Sequence, residues 1–149
     1  MTELRHSDIE PLAERLKVLV VDDHELNRRV MNLLLVEFGC GATFAACGDE
    51  GVELAAMQRF DLIFMDLNMP GLDGDEATRL IRAAGASKAT FIVRWTTEAS
   101  LRLDPGLYDG HAPKPIQLPA LAQILIEAAR RRIVRRRPRR AAAENLSPM

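Results

Sequence analysis

Four apolar runs divide the chain: KVLVV at 17–21, ATFAA at 42–46, DLIFM at 61–65 and TFIVRW at 90–95. Each is short and rich in branched or aromatic residues, and KVLVV is apolar at almost every position, so the runs read as strands buried on both faces of a parallel sheet. Between them the period becomes helical. Leu26, Val30, Leu33, Leu34 and Phe38 predict one helix face, ended by Gly39 and Gly41. Residues 49–58, with Val52, Leu54, Ala55 and Ala56, predict a second helix, and EATRLIRAAG a third. From Glu98 to Pro113 the period fails at Pro105-Gly106. Pro and Gly cost about 3 and about 1 kcal/mol relative to Ala inside a helix, so the fourth crossover helix is expected to be shortened or broken. A last helix opens near Pro119, buries Leu121, Ile124, Leu125 and Ala128, and keeps its register through Ile133 and Val134 until Pro138. Strands alternating with helices predict an α/β fold, a doubly wound five-stranded parallel sheet. The expected layout is a polar lead-in over 1–16, in which LAERL adds at most a helical turn, a domain over 17–129 and an arginine-rich tail over 130–149.

Composition narrows the function. A chain of 149 residues, 48% apolar, suffices for one domain with a core. No apolar stretch approaches the roughly 20 residues that span a bilayer, and MTELRHSDIE is too charged for a secretory signal, so a cytoplasmic location without membrane insertion is expected. Cys40 and Cys47 are too few for a disulfide framework or a zinc cluster and read as buried free thiols. The net charge of -1 hides a segregation. Eight arginines lie between Arg130 and Arg140 with no acid among them, and without them 12 basic residues face 21 acidic ones. The basic end suits a polyanion, while the acidic body argues against DNA lying across the whole protein.

Chemistry collects where the strands stop. Asp22 and Asp23 follow the first, Asp66 closes the third in FDLIFMD, Thr96 follows the fourth, and Lys114 precedes Pro115. A single aspartate after a strand is ordinarily a helix cap or turn residue. Three acids at one rim of a parallel sheet can instead hold a hard divalent cation through oxygen, and a hydroxyl and an ammonium beside them suit phosphoryl transfer.

VLVVDDHELNRR, DLIFMDLNMPGLDG, Thr96-Thr97 and Lys114-Pro115 together resemble the response-regulator receiver domain, the CheY-like fold, over about residues 17–129. The resemblance implies that Asp66 is the phosphorylated aspartate. Asp22, Asp23 and Asp66 would then lie around Mg²⁺, with Asn68 giving its backbone carbonyl, and Thr96 and Lys114 would stabilise the phosphoryl group. It implies a histidine kinase or phosphotransfer protein as donor, and no enzymatic activity beyond self-phosphorylation and dephosphorylation at Asp66. Two departures stand out: the short interval from Thr96 to Lys114, and His111 where the family often has an aromatic switch residue. A surface or packing role is the plainer reading of His111.

The basic end is all arginine, and arginine differs from lysine in a planar fork that grips phosphate and the guanine edge and stacks on flat rings. In this the chain resembles the CheY-like cyclic di-GMP effectors of flagellated alphaproteobacteria. That resemblance implies cyclic di-GMP bound by Arg130, Arg131, Arg132, Arg135, Arg136, Arg137, Arg139 and Arg140. It further implies docking on a flagellar switch protein to tune motility and surface attachment, with recruitment to the flagellated pole. Repulsion among eight cations predicts that Arg130–Arg140 is frayed until an anion binds. Arg94 and Trp95 read first as core and second as a cation and stacking surface.

Overall fold

The computed structural model describes residues 6–97 and 106–136. Strands β1 (Val18–Val21), β2 (Ala42–Ala45), β3 (Leu62–Asp66), β4 (Phe91–Thr96) and β5 (Gly110–Pro113) form one sheet in the order β2-β1-β3-β4-β5, every pair parallel. The described helices are α1 (His6–Ala13), α2 (Glu25–Glu37), α3 (Gly48–Met57), α4 (Gly74–Ala83) and α5 (Leu118–Arg136). β1, β3 and β4 are buried along their whole length, because helices cover both faces of the sheet. Val20, Phe64 and Trp95 face a core shared with α1, α2 and α5; Leu19, Ile63 and Ile92 face another shared with α3 and α4. The chain runs from β1 out to β2 and returns past β1 to β3. The strand order therefore reverses between β1 and β3, and a crevice opens beyond their carboxyl ends.

Three expectations need correction. The face of α2 that enters the core is Met31 and Leu35, followed by Phe38, while Leu26 and Leu33 are 71% and 68% exposed. Of the face that spacing predicted, Phe38 is buried and Leu34 packs against the core, but Leu26, Val30 and Leu33 turn outward because apolar residues lie on both sides of this helix; in α3, likewise, Ala55 is buried and Ala56 is exposed. The lead-in is more than polar leader: α1 puts Ile9 and Ala13, with Leu16 just beyond it, into the core beside α5. The shortened or broken helix expected between β4 and β5 falls on an interval of which 98–105 lie outside the described residues, and its described residues contain no helix. Side chains tie the described end of this connection to the body. Arg82 donates to the carbonyls of Leu107 (3.1 Å) and Thr90 (2.6 Å) and to Asp109 (2.7 Å), Asp109 accepts the Ile92 amide (2.9 Å), and the Tyr108 hydroxyl donates to Asp75 (2.7 Å).

The third correction concerns the arginines. α5 continues to Arg136 as one helix, so Arg130, Arg131, Arg132, Arg135 and Arg136 are helical and not frayed. Acids of the body cancel the repulsion that predicted fraying. Arg130 and Arg131 both donate to Glu127, at 2.6 and 3.0 Å, and hold its carboxyl down at about 2. Arg131 also lies 4.3 Å over the Phe91 ring and 3.5 Å from Asp109, and Arg135 reaches the buried Asp61 at 2.8 Å. Arg137, Arg139 and Arg140 lie outside the described residues. Cys40 is buried and its thiol pushed up to about 11, chiefly by that burial and then by Asp61, which leaves it unreactive at neutral pH; Cys47 is half-buried.

Candidate functional site

The site lies at the switch point because β1 and β3 deliver their last residues there side by side, Val21 being in register with Met65. Asp22 continues β1, its amide bonded to the Ala45 carbonyl at 3.1 Å, and its side chain is fully buried. Its carboxylate accepts the His24 amide at 2.8 Å and the Lys114 ammonium at 2.6 Å, and Arg28 holds its backbone carbonyl at 2.7 Å. Asp66 ends β3 and is 3% exposed. α4 must start on glycine behind it, because a Cβ on Gly74 would strike the Asp66 carbonyl and the Leu67 Cα. Asp73 caps that helix by accepting the Glu76 amide at 2.9 Å.

Lys114 reaches in from the end of β5, its amide donating to the Thr96 carbonyl at 3.1 Å; the Lys114–Pro115 bond is cis. Its Nζ sits 3.0 Å from Asp66 Oδ1 and 4.5 Å over the Trp95 ring, so one cation bridges two buried carboxylates above an aromatic face. Thr96 ends β4 and is buried at 5% exposure. Asn68 is exposed in the loop after β3. The structure thus brings Asp22, Asp23, Asp66 and Lys114 together around one crevice, with Thr96 at the next strand end. Arg94 and Trp95 are buried in the body, and His111 is exposed on β5.

Electrostatics shape Asp66. Burial pushes its carboxyl up to about 6; Lys114 pulls it down, and the neighbouring charges of Asp22 and Asp23 push it up again. Asp66 Oδ2 and Asp23 Oδ1 are buried and have no hydrogen-bond partner among the described residues. Ligand atoms of Asp22, Asp23, His24 and Asp66 all lie within 4.8 Å of one another. Crowded, under-satisfied carboxylate oxygens are the donor set that Mg²⁺ or another hard cation selects, and the residues present fit such an ion. Sequence reading missed His24, whose Nδ1 stands 3.1 Å from Asp23 Oδ1; its only signal was its place next to the paired acids. It also missed Arg28, one helical turn further on.

Fold and side chains together place the chain among the doubly wound α/β proteins whose switch-point crevice is lined by carboxylates and one lysine. The family model of the response regulator receiver domain matches residues 18–126, and the chain belongs to that family. Among curated relatives it is 38% identical over 120 residues to hybrid signal transduction histidine kinase G of Dictyostelium discoideum, covering 75% of this chain and 4% of that protein. It is 34% identical over 126 residues to sensor protein GacS of Pseudomonas syringae pv. syringae, covering 78% and 14%. The chain therefore spans only a small part of these relatives. Among solved structures, the receiver domain of sensor histidine kinase PA1611 from Pseudomonas aeruginosa PAO1 superposes with a TM-score of 0.70 at 30% identity, covering 76% of this chain and 97% of that one. That structure has a magnesium ion coordinated in its active site cleft. Chemotaxis protein CheY4 of Vibrio cholerae gives a TM-score of 0.68 at 32% identity, covering 76% and 98%. Among the described residues no helix is long and apolar enough to cross a membrane.

Proposed function

We propose that this protein is a phosphorelay receiver of the cytoplasm that takes a phosphoryl group on Asp66 from a phosphohistidine of a histidine kinase or phosphotransfer protein. The observation that carries the reading is the Asp66 carboxylate itself, buried, with one oxygen unpartnered and the other 3.0 Å from Lys114. That oxygen pair is a nucleophile held at the mouth of a positively countered crevice. A new bond forms from a carboxylate oxygen to phosphorus as the phosphorus–nitrogen bond breaks, and the bonding electrons leave with the donor imidazole. Lys114 offsets charge building on the phosphoryl oxygens, and Thr96, one strand over, offers a hydroxyl to the same group. Mg²⁺, held by Asp22, Asp23, Asp66 and the Asn68 carbonyl, would add further positive charge at that point. Leu26, Val30 and Leu33 form an exposed apolar stripe on α2, starting close behind Asp23, which supports docking of a donor protein beside the crevice.

The direct test is transfer of labelled phosphate from a phosphorylated histidine domain to this chain, with the label on Asp66. Lys114→Met isolates the cation. Because Lys114 lowers the Asp66 carboxyl, its removal should raise the Asp66 midpoint above about 6 in the metal-free protein and slow phosphoryl uptake, both readable by NMR titration and a label assay. An unchanged midpoint would remove the lysine from the proposed role.

A second reading concerns the basic end: capture of cyclic di-GMP by the arginine segment, followed by docking on a flagellar switch protein and recruitment to the flagellated pole. It is supported by the arginine-only composition and by the exposed Arg130, Arg131 and Arg136 on a ready-made helix. Against it, Arg130, Arg131, Arg132 and Arg135 already have acidic partners on the body. Calorimetric titration of cyclic di-GMP into the full chain and into Arg130→Gln/Arg131→Gln/Arg136→Gln tests it; this reading expects binding that the triple variant loses. No heat with the wild-type chain would end it.

A further inference from the structure

His24 holds the N-cap position of α2 with extended backbone angles (φ -93°, ψ 116°), yet its side chain makes no capping hydrogen bond. Cap positions favour Ser, Thr, Asp and Asn because their oxygens reach back to the helix amides. The imidazole turns toward the acids instead. Its backbone amide donates to Asp22 at 2.8 Å, which keeps residue 24 beside the end of β1. Nδ1 then lies 3.1 Å from Asp23 Oδ1 and 3.4 Å from Asp22 Oδ1, while the outer part of the ring stays open to water.

The approach to Asp23 is close without being a hydrogen bond, since Asp23 Oδ1 is buried and has no hydrogen-bond partner among the described residues. Asp66, 3% exposed, leaves its Oδ2 in the same condition. Lys114 engages the other oxygens, Asp22 Oδ2 at 2.6 Å and Asp66 Oδ1 at 3.0 Å. Asp23 Oδ1, Asp66 Oδ2 and the imidazole are therefore donors left over on one side of the lysine. Ligand atoms of Asp22, Asp23, His24 and Asp66 all fall within 4.8 Å of one another, so their lone pairs crowd one small volume.

We propose that His24 Nδ1 is a metal ligand, and that through it the crevice also takes a borderline transition-metal dication such as Zn²⁺. This rests on the crevice being the metal-assisted phosphoryl site proposed above. Mg²⁺ keeps to carboxylates, phosphates and water, so an imidazole adds little to its hold. Zn²⁺ accepts carboxylate oxygen and imidazole nitrogen alike, and four donors are the number it favours. Three carboxylates alone would serve both ions; the nitrogen is what separates them. The open side of the ring gives an ion its way in from water.

Zn²⁺ and Mg²⁺ are titrated separately into the full chain, wild type and His24→Gln. Trp95, the chain's one tryptophan, reports binding by fluorescence, because its ring lies 4.5 Å from Lys114 Nζ. The variant is expected to bind Zn²⁺ about tenfold or more weakly, at least the loss that removing a group behind a metal ligand brings, and to change its Mg²⁺ affinity by less than about threefold. His111→Gln, at an exposed position on β5, is expected to change neither. In nitrogen NMR spectra of the wild type, saturating Zn²⁺ should move the His24 Nδ1 resonance far more than saturating Mg²⁺ does. Equal Zn²⁺ affinity in wild type and His24→Gln, an equal loss for both ions, or an Nδ1 resonance that Zn²⁺ moves no further than Mg²⁺ would each overturn the proposal. Zn²⁺ binding that needs His24 in a chain indifferent to Mg²⁺ would uphold the nitrogen ligand and remove the phosphoryl reading instead.

Discussion

Asp66→Asn is expected to abolish phosphoryl uptake and, in metal-free buffer at pH 7, to leave the protein about 2 kcal/mol more stable than the wild type. Loss of uptake follows because an amide oxygen is no nucleophile toward phosphorus. The gain in stability follows from the carboxyl being raised from 3.8 to about 6 in the folded state, with burial as the main cause. The folded protein then keeps a proton that the unfolded chain has released. Stability contributed by this group is full below about pH 4, falls as the pH rises through the window between 3.8 and about 6, and is gone above it. The full shift is discounted because the crevice opens to water at His24, whose side chain is 66% exposed. Urea denaturation of both proteins from pH 3.5 to 7.5 checks this. The wild type should lose stability across the window relative to Asp66→Asn, and parallel curves would mean that the acidic crevice is not strained.

The second large effect is at the other end of the same strand. Asp61→Ala is expected to cost about 3 kcal/mol, within the range for breaking a buried ion pair, because Arg135 and Arg132 lose their carboxylate and the Lys17 amide its acceptor. Residues 130–136 should then fray while the rest of the fold remains, since Glu127 holds only the first turn of the arginines. Hydrogen exchange resolved by residue reads both outcomes. Retained protection at Ile133 and Val134 in Asp61→Ala would show that the helix end stands without its anchor.

The sheet was legible because its strands announce themselves locally. KVLVV and DLIFM are apolar after their first residue, each is followed by an acid, and the turn-rich MPGLDG after Asp66 marks the crevice rim; together with Lys114 these are most of the site. The face of α2 was not legible. Apolar residues lie on both its sides, and only packing against α5 and the sheet decides that Met31 and Leu35 turn inward while Leu26 and Leu33 turn out. α1 escaped notice because few of its residues are apolar, although Ile9 and Ala13 suffice to seat it on α5. The arginine contacts were out of reach for another reason. Asp61 and Arg135 are 74 residues apart, and a charge run read by itself looks solvated until its partners are known.

Asp109 is gripped from two directions, by Arg82 at 2.7 Å and by Arg131 at 3.5 Å, while it also takes the Ile92 amide at 2.9 Å. A single carboxylate thus ties the residues that lead into β5 to the cationic end of α5. Linkage makes this tie reciprocal: whatever draws Arg131 outward must also slacken the passage, and whatever stiffens the passage must steady Arg131. The Ile92 amide, lodged deep in the sheet, becomes a gauge of events on a surface it never touches.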